Sequence, residues 1–575
     1  MFSKTWKTSE KKYNLVIERD VKIRMADGTE INADIFRPDS KDKFPAIFGF
    51  SPYFLAPQTA PIKPDAISTH AFMLPAQEKG NGSLEAGDPN FFVPRGYAQI
   101  VANVRGTGKS GGKYAFIGPP EPQDGVEVIK WIADQPWCDG KVGMFGVSYF
   151  AWIQFFIAAL DPPHLKCIFA PWGATDIYRD STYHGGILGH SFWRGLSRAF
   201  EKVREESYSR KKWGDRKFRE AIVKALQDED IAGVAELVEI LRNPDEGTNP
   251  LLADILLNPH DGPYWEDRRV KYENIKVPAY IGACWGIYGL HLPGAFRSWE
   301  NLEVPKRMII GPPAYLDRPL YQLHYEALRW FDYWLKGVDT GMMDEPAIRI
   351  FVMNTGEWKE ANEWPLPETK WTPFYLHENG LLWEHEHWPH EGSDSFDDSP
   401  YHRGHLEYCS PPMVEDTEVV GPIVLNLYAS TTDNDVLWFI SLREVNQEGN
   451  ERILTRGWLR GTHREVDPEH SQPWEPYHPH TKSEPLVPGK IYEFNIPVVP
   501  TGNLFKAGSR IKLKICSTDD EPKHPLEAVA TGHIRRQSPS RITLYHDADH
   551  PSHLLLPITR GNILGTFLSG GKPFL

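Results

Sequence analysis

The sequence predicts an α/β domain on a largely parallel sheet, interrupted by a helical insertion and followed by a β-sandwich. Three observations carry this. Lys141-Val-Gly-Met-Phe-Gly-Val-Ser-Tyr-Phe-Ala-Trp152 reads as a buried strand, a tight turn at Gly146-Val147-Ser148 and a helix through about Ala159. That is the nucleophile-elbow layout, which lifts a serine hydroxyl above a sheet. Apolar strand-like runs then alternate with helix-like runs, the signature of a parallel sheet. Beyond about Pro346 the texture becomes short alternating runs divided by turns, which suits a jelly-roll sandwich.

Taken in order, Leu15 to Arg37 reads as a β-hairpin turning at Ala26-Asp27-Gly28, and Phe44 to Phe50 as a buried strand. Ala98 to Val104 is a strand ending in a glycine-rich turn. Val126, Ile129, Ile132 and Ala133 give Gly125 to Asp134 a helical period. After the elbow comes a strand at Lys166 to Ala170. From about Ser197 to Asn243 the pattern is charged amphipathic helix, as in Phe218 to Leu226 and Ile231 to Leu241. Strands return at Ala279 to Cys284 and Arg307 to Ile310, with a helix over Leu323 to Lys336. Sandwich strands are predicted at Pro422 to Ala429, Trp438 to Val445, Ile491 to Val498 and Ile511 to Cys516. The domains read as 1–185 and 266–345 for the sheet domain, 186–265 for the helical cap and 346–575 for the sandwich.

The chain has 575 residues, 41% of them hydrophobic and 24% charged, which is a globular composition. A net charge of −14 disfavours nucleic acid or an anionic membrane as partner. No apolar run is long enough to span a bilayer. The polar, lysine-rich start lacks the apolar stretch of a signal peptide. Five scattered cysteines suit free thiols in a reducing compartment. The expectation is a cytoplasmic protein acting on a small molecule, with no cofactor and no metal. A homodimer is compatible with the sandwich surface.

Several segments together resemble the cocaine-esterase and X-Pro dipeptidyl-peptidase type of α/β-hydrolase. They are Gly87-Asp-Pro-Asn-Phe-Phe-Val-Pro-Arg-Gly-Tyr97, Val104-Arg-Gly-Thr-Gly-Lys-Ser-Gly-Gly112 and Ala174-Thr-Asp-Ile-Tyr-Arg-Asp180 with His184-Gly-Gly186. In the C-terminal part, Gly457-Trp-Leu-Arg-Gly-Thr-His-Arg464, Val487-Pro-Gly489 and Phe505-Lys-Ala-Gly-Ser-Arg510 follow in the family's order. The resemblance implies hydrolase domain, cap and jelly-roll, and ester or amide cleavage by Ser-Asp-His. It places the nucleophile at Ser148 and the oxyanion hole at the Tyr53 hydroxyl and the Tyr149 N–H.

The pattern breaks at the other two triad positions. In Ala283-Cys-Trp-Gly-Ile-Tyr-Gly-Leu-His-Leu-Pro293 the acid position falls on Ile287, or on Gly286 with a one-residue slip. In Met308-Ile-Ile-Gly-Pro-Pro-Ala-Tyr-Leu-Asp317 the histidine position falls on Tyr315 or Ala314. A serine without a base is a poor nucleophile, and an ordinary tyrosine is a poor base at pH 7. His291 reads as structural, His324 as exposed at a helix start, and His184 as a residue that faces the pocket. Asp317 could be a displaced acid. Trp285, Ile287, His184 and Trp172 are the expected substrate contacts.

Arg105-Gly-Thr-Gly-Lys-Ser lacks phosphate-loop spacing and reads as a turn. His385, His387, His390, His402 and His405, like His546, His550 and His553, lack zinc-type spacing and read as solvated loop residues. Trp152 and Phe155 read as core. Three functions follow. The first is an enzyme that keeps the carbonyl-binding pocket but not the hydrolytic cycle: a cyclase, pericyclase, lyase or isomerase, with Ser148, Tyr53, Tyr149 and Tyr315 as its catalytic groups. The second is a serine ester or amide hydrolase with a relocated base such as His184 or His291. The third is a ligand-binding protein without catalysis.

Overall fold

Residues 6–58, 85–197, 203–312, 318–386, 391–520 and 532–561 are described by the computed structural model. The first sheet comprises β1 (Leu15–Arg24), β2 (Glu30–Pro38), β3 (Phe44–Ser51), β4 (Ala98–Asn103), β5 (Cys138–Phe145) and β6 (Leu165–Pro171). A two-strand hairpin follows, β7 (Tyr183–His184) and β8 (Ile187–Leu188). β9 (Ala279–Cys284), β10 (Lys306–Gly311), β11 (Ile348–Val352) and β12 (Glu357–Ala361) complete the sheet. The spatial order is β1-β2-β4-β3-β5-β6-β9-β10-β11-β12, and the run from β4 to β11 is parallel. Helices cover both faces of such a sheet, so its central strands are apolar throughout rather than alternating. β3 and β4 are buried at every residue.

One boundary differs from the sequence reading. The sandwich was expected from 346, yet β11 pairs in parallel with β10 and β12 closes that edge, so both belong to the first sheet. Five-residue strands with charged outer positions look the same to a pattern reading whichever sheet they join. The insertion between β8 and β9 is helical: Tyr208–Ala225, Glu229–Ala232, Ala235–Arg242 and Asn249–Leu257 are its main elements.

The second domain is a closed β structure. Its central strand, Thr417–Thr431, pairs with Tyr492–Phe505 on one side and with Ser540–Tyr545 and His553–Arg560 on the other. His553–Arg560 also pairs with Lys370–His377, which closes the sheet on itself. Alternation sets the inside: in Arg510–Cys516, Ile511, Leu513 and Ile515 are buried between half-buried polar residues. The two domains are joined by backbone bonds from Met353 N–H to the Gly502 carbonyl (2.9 Å) and from Leu504 N–H to the Met353 carbonyl (3.1 Å).

Candidate active site

Ser148 stands where β5 ends and the helix Tyr149–Ala158 begins. Its backbone is at φ 56°, ψ −128°, a conformation a non-glycine residue keeps only when its surroundings enforce it. Gly146 (φ 148°) makes the turn, and a Cβ there would run into the Phe150 side chain. The turn is further held by the Val147 N–H, which donates to the Glu85 carbonyl at 3.1 Å. The helix that follows is buried at every position, so the elbow sits on a rigid support.

Tyr53 lies two residues beyond β3 and is buried. Its carbonyl accepts from Asn103 Nδ2 at 2.8 Å, and its ring packs edge-on against Tyr149 at 6.1 Å. Burial, reinforced by the Glu85 charge, pushes the Tyr53 phenol well above its ordinary range, and a hydrogen bond to Ser148 opposes this. The phenol therefore stays protonated and can donate. Ser148, the Tyr53 hydroxyl and the first residue of the helix, Tyr149, thus converge. Donors preset around a carbonyl oxygen stabilise negative charge that develops there.

No proton acceptor of triad type completes this group among the described residues: neither a histidine nitrogen nor a carboxylate oxygen bonds to the Ser148 hydroxyl. Ile287 occupies the loop after β9 and is fully buried, and its carbonyl accepts the N–H groups of His291 and Leu292, both at 3.2 Å. Beside it, Trp172 Nε1 donates to Cys284 Sγ at 3.4 Å, and burial pushes that thiol up to about 11. Tyr315, Asp317 and Ala314 lie outside the described residues.

The other expected residues go elsewhere. Trp285 Nε1 donates to the Phe351 carbonyl at 2.6 Å, and its ring lies against Gly502 of the second domain, so it joins domains. His184 has both nitrogens engaged. Its Nε2 donates to the Gly289 carbonyl at 2.8 Å, and its Nδ1 contacts His533 Nε2 at 2.7 Å. Burial, and next to it the His533 charge, pull His184 down to about 3. His291 Nδ1 accepts from Trp152 Nε1 at 3.3 Å, and burial holds it near 3 as well. His324, expected at the surface, is buried; its Nε2 accepts the Asp88 N–H at 2.9 Å, and its ring stacks on Phe92. His546, expected in solvent, is also buried and bonds to Asp394 at 3.2 Å. His387 and His390 lie outside the described residues, and among those described no cluster could hold a metal.

Four groups near this site escaped the sequence reading. Glu85 is fully buried against the elbow. Glu121 accepts from the Tyr149 hydroxyl at 2.6 Å and the Ile117 N–H at 3.0 Å, and burial raises its carboxyl to about 7. His533 and Asp519 extend the contact made by His184, with His533 Nδ1 and Asp519 Oδ1 2.9 Å apart. None stands in a motif that would single it out.

A serine raised on a strand–turn–helix at the centre of a mostly parallel sheet, with a tyrosine hydroxyl beside it, defines an α/β-hydrolase. More narrowly, the chain belongs to the X-Pro dipeptidyl-peptidase (S15) family. That family's model matches residues 27–315, and the X-Pro dipeptidyl-peptidase C-terminal non-catalytic domain matches residues 340–555. The chain is 26% identical to the cocaine esterase of a Rhodococcus strain, over 95% of this chain and 99% of that one. Among solved structures it is similar to a CocE/NonD family hydrolase from Staphylococcus aureus, with a TM-score of 0.78, 26% identity and coverage of 95% and 94%. It also shares the fold of an α-amino acid ester hydrolase, with a TM-score of 0.71 at 17% identity.

Proposed function

We propose that the protein is an enzyme that binds a small carbonyl compound at Ser148 and Tyr53 and rearranges it without consuming water. What supports this reading is Ile287, a buried aliphatic side chain at the position that the family resemblance gives to the orienting carboxylate, together with a Ser148 that neighbours the Tyr53 phenol. An alkyl group cannot orient or charge-balance an imidazole, so the acyl-enzyme cycle lacks its proton relay. The Tyr53 hydroxyl and the Tyr149 N–H would hold the carbonyl oxygen while negative charge builds on it. Cyclisation, elimination and isomerisation all pass through such charge.

The test is turnover of candidate carbonyl precursors in 18O-labelled water. The expected product carries no label and has the precursor's mass, less the leaving group where the reaction is an elimination. Tyr53→Phe should lose about 10²–10³-fold in rate, the usual effect of one oxyanion donor, while Ser148→Ala retains most of it. Label incorporation that disappears in Ser148→Ala would sink the proposal. Family membership favours that second reading, a serine ester or amide hydrolase. Its base would have to be other than His184, whose two nitrogens are both spent.

A further inference from the structure

A cavity of about 350 Å³ lies between the glycine-rich turn after β4 and the helix Tyr208–Ala225 of the insertion. This volume is that of a small-molecule pocket. Ser148 and Tyr53 are not among its walls. Tyr114, whose hydroxyl donates to the Tyr149 hydroxyl at 3.1 Å, is. Phe116, Tyr208 and Tyr264 supply the rest of an aromatic lining. Phe116 and the next residue, Ile117, are both held at positive φ, 50° and 59°, so the backbone on this side is strained into place.

The polar groups of the cavity are unevenly matched. Arg268 is buried, and it donates to the carbonyls of Tyr264 (2.7 Å), Ala115 (2.9 Å) and Phe116 (3.1 Å). Its guanidinium lies 3.9 Å over the Tyr264 ring. Carbonyls satisfy donors but do not cancel charge, and among the described residues no carboxylate pairs with it. Asp254 is engaged elsewhere: it accepts from Ser207 Oγ, Tyr208 N–H and Ser209 N–H at the start of the long helix. Glu205 accepts the Leu251 N–H at 3.0 Å through Oε2, while its Oε1 is buried with no partner. Burial pushes the Glu205 carboxyl up to about 8, so at neutral pH it is an O–H donor. The Tyr264 hydroxyl is also buried and unpartnered. A buried guanidinium without a paired carboxylate and two idle hydroxyl-type donors therefore border an aromatic-walled space, with Lys113 and the Lys211–Glu206 pair also on its wall.

We propose that this cavity is a binding site for a small organic carboxylate with an aromatic or apolar body, its charge set beside Arg268 and its body against the aromatic wall formed by Phe116 and the Tyr208–Tyr264 pair. A cationic ligand is disfavoured because a guanidinium does not deprotonate in proteins. An anion meets both the charge and the idle donors.

Calorimetric titration of the full chain with 3-phenylpropionate, 3-phenylpropanol and 3-phenylpropylamine tests this. The acid should bind, the alcohol should be at least about tenfold weaker, and the amine should not bind. Raising the pH from 7 to 9 ionises Glu205 and should weaken the acid about tenfold. Glu205→Gln should abolish that pH dependence, and Tyr264→Phe should weaken the acid at both pH values. The proposal is overturned if the folded chain prefers the amine or binds no acid. It is also overturned if the acid's affinity is indifferent to both substitutions.

Discussion

At the scale of single residues, Ser148 combines the strained backbone of a nucleophile with the surroundings of a hydrogen-bonding group. Beside it is a phenol that stays protonated, and the position that the family resemblance gives to the orienting acid is the buried Ile287. The carboxyl nearest to neutrality lies one layer below, at Glu121 under the Tyr149 hydroxyl. Its folded-state value of about 7 lies above the usual 4.5. The folded protein therefore holds that proton longer than the unfolded chain does. The stabilisation is complete below about pH 4.5 and is lost as pH rises through 7, amounting to about 3 kcal/mol for a shift of this size. Glu121→Gln should flatten the stability profile between pH 5 and 7.5 by that amount, read from urea midpoints at the two pH values. An unchanged slope would remove Glu121 from this account.

At the scale of elements, the elbow works because a strand, a glycine and a wholly buried helix meet within a few residues. Gly146→Ala places a methyl group against Phe150 at a φ of 148°. It should destabilise the protein by at least about 2 kcal/mol, since a side chain in such a conformation is strained whatever space exists. Circular dichroism melts would show it, and a melting point within a degree of the parent would contradict the geometry. The elbow was legible because strand, turn and helix are neighbours in the chain. So were β9 and β10, through their apolar runs. Glu85, Glu121 and His533 were not. Each acquires its role from a partner brought close only by folding; His184 and His533, for example, are 349 residues apart. His324 misled for the same reason. The helix begins at Arg318 rather than at Leu323, so His324 lies in its second turn and packs against Phe92 and Phe145.

At the scale of the molecule, the closed β domain is fastened to the hydrolase domain rather than tethered to it. Met353 bonds across the boundary, the Trp285 ring packs on Gly502, and the Asp519–His533–His184 series runs from the second domain to the Gly289 carbonyl. That carbonyl belongs to the loop carrying Ile287, so the second domain braces that loop. Burial raises the Asp519 carboxyl, but His533 and its N–H groups more than offset this and hold it below its ordinary range. Asp519→Asn should leave the Gly532 and His533 N–H groups and His533 Nδ1 without their shared carboxylate and cost about 1–3 kcal/mol, as leaving a buried donor unsatisfied does. The loss would be read from the denaturant midpoint, and a neutral substitution would show that this series holds nothing together. The three-part architecture was legible because each part has its own periodicity. The position of β11 and β12 was not, because only pairing reveals which sheet a short strand joins.

The central claim is that Ser148 has lost its activating relay while keeping its fold. Intact-protein mass after incubation with a fluorophosphonate serine probe, beside Ser148→Ala, measures this most directly. The account expects folded protein with no adduct. A single adduct on the parent chain that vanishes in Ser148→Ala would contradict it and establish an activated serine with a base in a new place.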